Sequence, residues 1–298
     1  LDCRGADGPA EFGRQWRKTV ALLVALGADL VAASELENDG YDPESALAHL
    51  TARLDEASAP GAWAFVDADA GAGRIDALGS DAIRVALLYR VAALAPTGPP
   101  AVLASGPFGP FATTSGAIQR NRPALAQTFV ERASGERFTA VVVHLKSRGS
   151  SCTGNLAPVG PDPDTGDGFV DLLEGEGPGP HSYGFGGWWG RLDHALASPS
   201  LAAQAQAAMT WPGNADEPPV LGYEAAFKTP AQIAGLYAPD AYRSSDHDPV
   251  VVDLALPEPG GAPGGRAAGA ARRRRAPAGP RPRARTAWRV PVTSGSRS

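Results

Sequence analysis

The heptapeptide Arg243-Ser244-Ser245-Asp246-His247-Asp248-Pro249 runs directly into Val250-Val251-Val252-Asp253-Leu254-Ala255-Leu256. A polar loop passing into a β-branched apolar run reads as the entrance to a buried strand, with a histidine set between two aspartates at the entrance. An imidazole exchanges its proton near neutral pH, and a neighbouring carboxylate fixes its tautomer or holds a metal. A loop histidine with solvated aspartates has the same local sequence. The reading therefore turns on whether other acids and histidines also end strands.

Several do. Phe138-Thr139-Ala140-Val141-Val142-Val143-His144-Leu145 is the strongest strand signal in the chain and carries His144 at its end. Residues 29–33 form a short apolar strand that runs to Glu35, and further strands are expected over 63–66, 83–89 and 125–130. Two helices precede and follow Glu35. The first spans 10–26, with Phe12, Trp16, Val20 and Leu23 on one face, Arg14, Arg17 and Lys18 around them, and Gly27 as its stop. The second spans 43–56, with Leu47, Leu50 and Leu54 as its stripe and Pro43 in its first turn. Residues 149–187 are rich in Gly, Pro and acids, and are long for a loop inside a compact domain. Order returns with Gly190-Arg191-Leu192-Asp193-His194-Ala195-Leu196, read as a short strand, and an alanine-rich helix near 201–209.

Of the 298 residues, those from 257 onward have no hydrophobic period and read as a disordered Arg/Pro/Gly-rich tail behind a domain of residues 1–256. The tail holds ten arginines against Glu258, a net of +9, so the domain carries 17 Lys+Arg against 31 Asp+Glu, a net of −14. A body this acidic does not read as a general basic nucleic-acid binder, although acids gathered in one mouth suit divalent cations that then meet a phosphate. The arginine run reads either as a contact for nucleic acid or an acidic surface, or as a solvated tail. Cys3 and Cys152 alone establish neither a disulfide nor a metal site. No run of 18 apolar residues exists, so no membrane partner is expected, and no obligate protein partner is evident. The chain opens at Leu1 without a signal-peptide pattern and reads as a mature or trimmed fragment.

Glu35, His144, Asp193 and Asp246-His247-Asp248 thus share strand-end positions. Carboxylates at one sheet edge offer the oxygen ligands of a hard cation such as Mg²⁺, with Mn²⁺ or Ca²⁺ as alternatives. One His–Asp pair supplies an oriented base for water, and a second histidine donates to charged phosphoryl oxygens. Together these are the parts for metal-assisted phosphodiester hydrolysis.

The sequence also resembles the endonuclease/exonuclease/phosphatase superfamily, and most closely its large secreted bacterial nucleases. The resemblance rests on ordered pieces across residues 1–256: Cys3-Arg4-Gly5-Ala6-Asp7, Glu35-Leu36-Glu37-Asn38-Asp39-Gly40-Tyr41, Ser80-Asp81-Ala82-Ile83-Arg84-Val85-Ala86-Leu87-Leu88-Tyr89-Arg90 and Arg120-Asn121-Arg122-Pro123. It continues through His144-Leu145-Lys146-Ser147, Trp189-Gly190-Arg191-Leu192-Asp193-His194, Asn214-Ala215-Asp216-Glu217-Pro218-Pro219 and Ser245-Asp246-His247-Asp248-Pro249. It implies an α/β (α+β) fold, a four-layered sandwich of two mostly antiparallel sheets flanked by helices. It implies Glu35 as a metal ligand helped by Asp246, and His144 on the scissile phosphate. It implies Asp193 as the carboxylate that orients His247, His247 as general base, and Arg122 on substrate. Arg84 reads as a surface residue of its strand, Asp248 as a cap of its turn, and His194 and Glu37 as facing away from the site.

The resemblance implies an extracellular hydrolase, a nuclease on DNA or RNA. Two departures qualify it. The family's first strand, with a metal-binding asparagine, would precede Cys3. Its Gly-Asp-x-Asn strand would lie between His144 and Asp193, where only Gly166-Asp167-Gly168-Phe169 approaches it. Loss of that strand would expose two strand edges and remove groups that position phosphate, so an impaired enzyme is expected. A catalytically inactive remnant or binding protein of the same fold, and a phosphatase or phosphodiesterase on another phosphate ester, are the alternative functions.

Overall fold

The computed structural model describes residues 5–112, 118–145, 168–174, 181–257 and 284–291. Cys3, Cys152, Gly166-Asp167 and the arginines at 272–275 lie outside these residues.

Helix α1 (Pro9–Leu26) starts on a proline and stops at Gly27, whose left-handed φ of 60° lets its N–H return to the Val24 carbonyl. Its buried face runs through Gln15, Lys18, Thr19, Leu22, Leu23 and Leu26, while Phe12 is 40% exposed. The apolar stripe is thus rotated from the expected one, and Lys18 moves inside. Its ammonium lies 2.8 Å from Asp240 Oδ1 and donates to the Tyr242 carbonyl at 2.6 Å, so the buried charge is paired. Strand β1 (Leu30–Glu37) follows, then α2 (Ala46–Ala57). Ser45, not Pro43, starts α2, because the Ser45 hydroxyl accepts the Ala48 N–H.

The remaining strands are β2 (Trp63–Phe65), β3 (Ile83–Arg90), β4 (Leu94–Leu103), β5 (Pro110–Ala112), β6 (Ile118–Arg120), β7 (Ala124–Glu131) and β8 (Arg137–Val142). After them come β9 (Val170–Asp171), β10 (Tyr183–Phe185), β11 (Trp188–Gly190), β12 (Leu196–Ala197), β13 (Ala205–Thr210), β14 (Val250–Leu254) and β15 (Ala284–Pro291). Six of them form a sheet in the order β13-β14-β15-β1-β3-β2, and a second sheet has the order β4-β7-β8.

The fold is α+β. Strands β1 and β3 are buried on both faces, which explains their nearly continuous apolar sequences. Val31, Ala33, Ala86 and Leu88 pack with Leu22, Leu23, Leu26, Leu47, Leu50 and Leu54 of the two helices. Leu30, Ala32, Val85 and Leu87 share a second cluster with Leu125, Phe129, Phe138, Ala140 and Val142 of the three-stranded sheet.

Four elements differ from expectation. Residues 205–210 form β13 instead of the C-terminal part of an alanine-rich helix, because pairing with β14 overrides alanine's helical preference. Helix survives only over Pro199–Ala202. Residues 191–195 are not a strand, and pairing begins only at Leu196. Strand β4 was masked by its Pro and Gly residues, which an edge strand tolerates. Within the tail read as disordered, residues 284–291 form β15, parallel to β1 and antiparallel to β14.

Candidate functional site

Strand β1 carries one extra residue relative to β3. Ala33 opposes Ala86 and Leu36 opposes Arg84, so Ser34 and Glu35 together face Val85. At this bulge Glu35 adopts φ 63°, a left-handed backbone that costs a residue with a Cβ on the order of 1 kcal/mol. Bulges of this kind re-aim a side chain, and here Glu35 Oε1 reaches to 3.4 Å from Nε2 of the buried His144, just past the end of β8.

On the other side of the site, His247 Nδ1 lies 2.7 Å from Asp193 Oδ2, and Asp193 is fully buried. An ionised carboxylate only accepts, so Nδ1 carries the proton and Nε2 keeps its lone pair. The segment after β11 holds Asp193 in place. Ser182 Oγ accepts the N–H groups of Leu192 and Asp193, each at 3.0 Å, and the Ser182 carbonyl accepts from Asp248 N at 2.8 Å. Asn214 fixes the histidine loop from the opposite side. Its Nδ2 donates to the His247 carbonyl at 2.8 Å, and its Oδ1 accepts from Ser244 N at 3.0 Å.

Asp248 does more than cap its turn. Its Oδ1 accepts from Gly213, Asn214 and Ala215 N–H groups at 3.0, 2.7 and 3.0 Å, joining the 213–215 loop to the start of β14. Burial pushes its carboxyl above the usual carboxylate range, against the three N–H bonds that pull it down.

Tyr183 connects the two halves. Its ring stacks on His247 at 4.5 Å between centroids with 30° between planes, and the two residues form a backbone bridge. Burial raises the Tyr183 hydroxyl pKa, and the charges of Asp246 and Glu35 raise it further. Both carboxylates are thus near enough to act on the same hydroxyl. Mg²⁺ sites commonly take one or two carboxylates alongside waters and substrate phosphates. Among the described residues, no group of three His, Cys, Asp or Glu side chains gathers closely enough to form a complete protein cage for a metal.

Arg122 lies apart from these residues, in a cleft lined also by Arg74, Asp81, Asn121 and Phe108, with its Nε 3.1 Å from Asp81 Oδ2. Asn38 joins that cleft to the end of β1 by donating to the Gly79 and Asp81 carbonyls. Arg84 is not a surface residue. It is 2% exposed, sits 4.1 Å from the Tyr41 ring centre and donates to the Gly40 carbonyl. Strand alternation puts it on the face of Ala86 and Leu88, which packs on the helices. His194 is exposed and pairs with Asp171 at 3.1 Å, on the far side of the chain from Asp193, as strand alternation suggested.

Sequence reading missed Ser182, Tyr183 and Asn214. For the first two a signal existed: Tyr183-Gly184-Phe185-Gly186-Gly187-Trp188-Trp189 has aromatic residues on either side of a Gly-Gly pair, a two-residue hairpin pattern. Asn214 opens one of the stretches that carry the family resemblance, Asn214-Ala215-Asp216-Glu217-Pro218-Pro219, but the resemblance assigns it no role there. In comparisons with known proteins, the chain matches no family model and no curated sequence.

Proposed function

We propose that the chain is a metal-dependent phosphodiesterase acting on nucleic acid outside the cell, working below the rate of a complete site. The observation that carries this reading is the His247–Asp193 pair at 2.7 Å. The strained Glu35 with the buried His144 next to it adds to this, and Tyr183, stacked on His247, lies within electrostatic reach of Glu35. In this reading His247 Nε2 takes a proton from the attacking water, and Asp193 stabilises the resulting imidazolium through Nδ1–H. His144 donates to a phosphoryl oxygen as negative charge grows there. Glu35 and Asp246 would hold a divalent cation. When bound, that cation supplies positive charge to a phosphoryl oxygen and lowers the pKa of water. Arg122 would contact a phosphate at a distance from the reacting bond.

A plasmid-nicking assay with Mg²⁺ or Mn²⁺, and a chelator control, tests this. Metal-dependent nicking that disappears in His247→Ala is the expected result. Nicking that persists in chelator, or no nicking by the wild-type protein at any concentration, overturns it.

A second reading, an inactive remnant of the same fold, is favoured by two observations. The sequence between His144 and Asp193 has no Gly-Asp-x-Asn. Among the described residues β8 has a strand partner on one side only. Inserting a family-like strand between residues 168 and 169 should then create activity; full activity in the native chain rules the reading out.

A further inference from the structure

Strands β10 and β11 form a hairpin closed by Gly186 and Gly187, both with positive φ (59° and 81°). A two-residue turn of this kind matches the natural strand twist. An isolated two-stranded hairpin is marginally stable, but this one is clamped at its base. Ser182 accepts from Leu192, Asp193 and Asp248, as described, and Tyr183 bridges to His247. The Trp189 ring covers Gly184, where a Cβ would lie 2.7 Å from it, and leans on His181 at 4.4 Å.

The hairpin nevertheless leaves Phe185 66% and Trp188 83% exposed. Alternate residues share a face, and directly opposed residues do too. Tyr183, Phe185 and its partner Trp188 therefore lie on one face. The step from Tyr183 to Phe185 is about 7 Å along the strand, and Tyr183 is already stacked on His247. An aromatic row thus runs from the proposed base to the hairpin tip.

Resting on the phosphodiesterase reading, we propose that Phe185 and Trp188 are a stacking platform for unpaired bases, leading a single-stranded nucleic acid to His247. The charge balance favours this mode of grip. Residues 1–256 carry a net of −14, so this body, as distinct from the arginine-rich segment after it, is poorly suited to hold a polyanion by releasing counterions. Stacking needs no charge and accepts every base, and each stacked base strengthens binding about ten- to a hundredfold.

The test measures fluorescence anisotropy of a labelled oligodeoxythymidine and a labelled blunt duplex in chelator, so that nothing is cleaved. Wild type should prefer the single strand, with a shallow salt dependence. Phe185→Ala and Trp188→Ala should each weaken single-strand binding about tenfold and leave duplex binding unchanged, and Trp188→Phe should restore most of the loss. Both side chains are solvent-exposed, so the variants should keep the wild-type circular dichroism. Alanine variants that bind the single strand as tightly as wild type overturn the platform, as does wild-type protein that binds neither probe. Single-strand binding by a wild-type protein that never cleaves keeps the platform and removes the hydrolase reading. Cleavage with unchanged binding in the variants does the reverse.

Discussion

Replacing Asp248 with alanine should destabilise the protein by about 2 kcal/mol or more. Asp248 has no exposed surface, and its Oδ1 is the shared acceptor for the Gly213, Asn214 and Ala215 N–H groups. Without it the buried Asn214 and Ala215 donors lose their partner, at roughly 1–3 kcal/mol each, while Gly213 N–H keeps the Trp211 carbonyl at 2.9 Å. Water entering the small void recovers part of this, so the low end of the sum is the figure to test. It is still a large share of a typical stability of about 5–15 kcal/mol. Asparagine keeps the acceptor oxygen and should be far milder. It also separates the charge from the hydrogen bonds. Burial raises the Asp248 carboxyl above its unfolded value, so the folded state holds that proton more tightly. The associated stability is fully present below the unfolded pKa and is lost as pH rises through the folded one. Asparagine has no such loss, so Asp248→Asn should gain on the wild type as pH rises from the acid range to neutral. Urea denaturation at acid and neutral pH measures both effects. An alanine variant within about 1 kcal/mol of wild type refutes the hydrogen-bond reasoning. An asparagine variant that loses ground on going to neutral pH refutes the charge reasoning.

Asp193→Asn should preserve the far-UV circular dichroism but cut nicking by about 10³- to 10⁴-fold, because His247 loses its fixed tautomer; an unchanged rate would show that Asp193 does not orient the base. Glu35→Gly should raise stability by about 0.5–1 kcal/mol by relieving the left-handed backbone, and should abolish nicking. A thermal midpoint at or below wild type would contradict the strain. Subtracting the Tyr183→Phe ultraviolet titration from that of the wild type should isolate a tyrosine ionising above the usual value of about 10. An ordinary value would mean that its hydroxyl is neither desolvated nor close to the charges of Asp246 and Glu35.

The strongest elements were legible because their pattern and their burial agree. Strands β1, β3, β7 and β8 are apolar runs that end up in two shared clusters. The pairing of Asp193 with His247 was implied by the family resemblance, and the two side chains do meet. What stayed hidden depends on long-range partners. Lys18 is charged on a helix and reads as surface until Asp240, 222 residues away, covers it. Residues 205–210 read as helix because local propensity cannot register the β14 edge beside them. Asn214 is one polar loop residue among many, and its role exists only once the histidine loop folds against it.

The bulge at Glu35 leaves a mark that selection would act on. A glutamate held at φ 63° lowers stability relative to glycine or asparagine at the same place. In a library randomised at residue 35 and sorted only for folded protein, glycine and asparagine should therefore outgrow glutamate within a few rounds. Sorted for phosphodiester cleavage, the same library should return to glutamate. A chain whose site had fallen idle would drift under the first regime, and one selected for cleavage would keep its glutamate under the second.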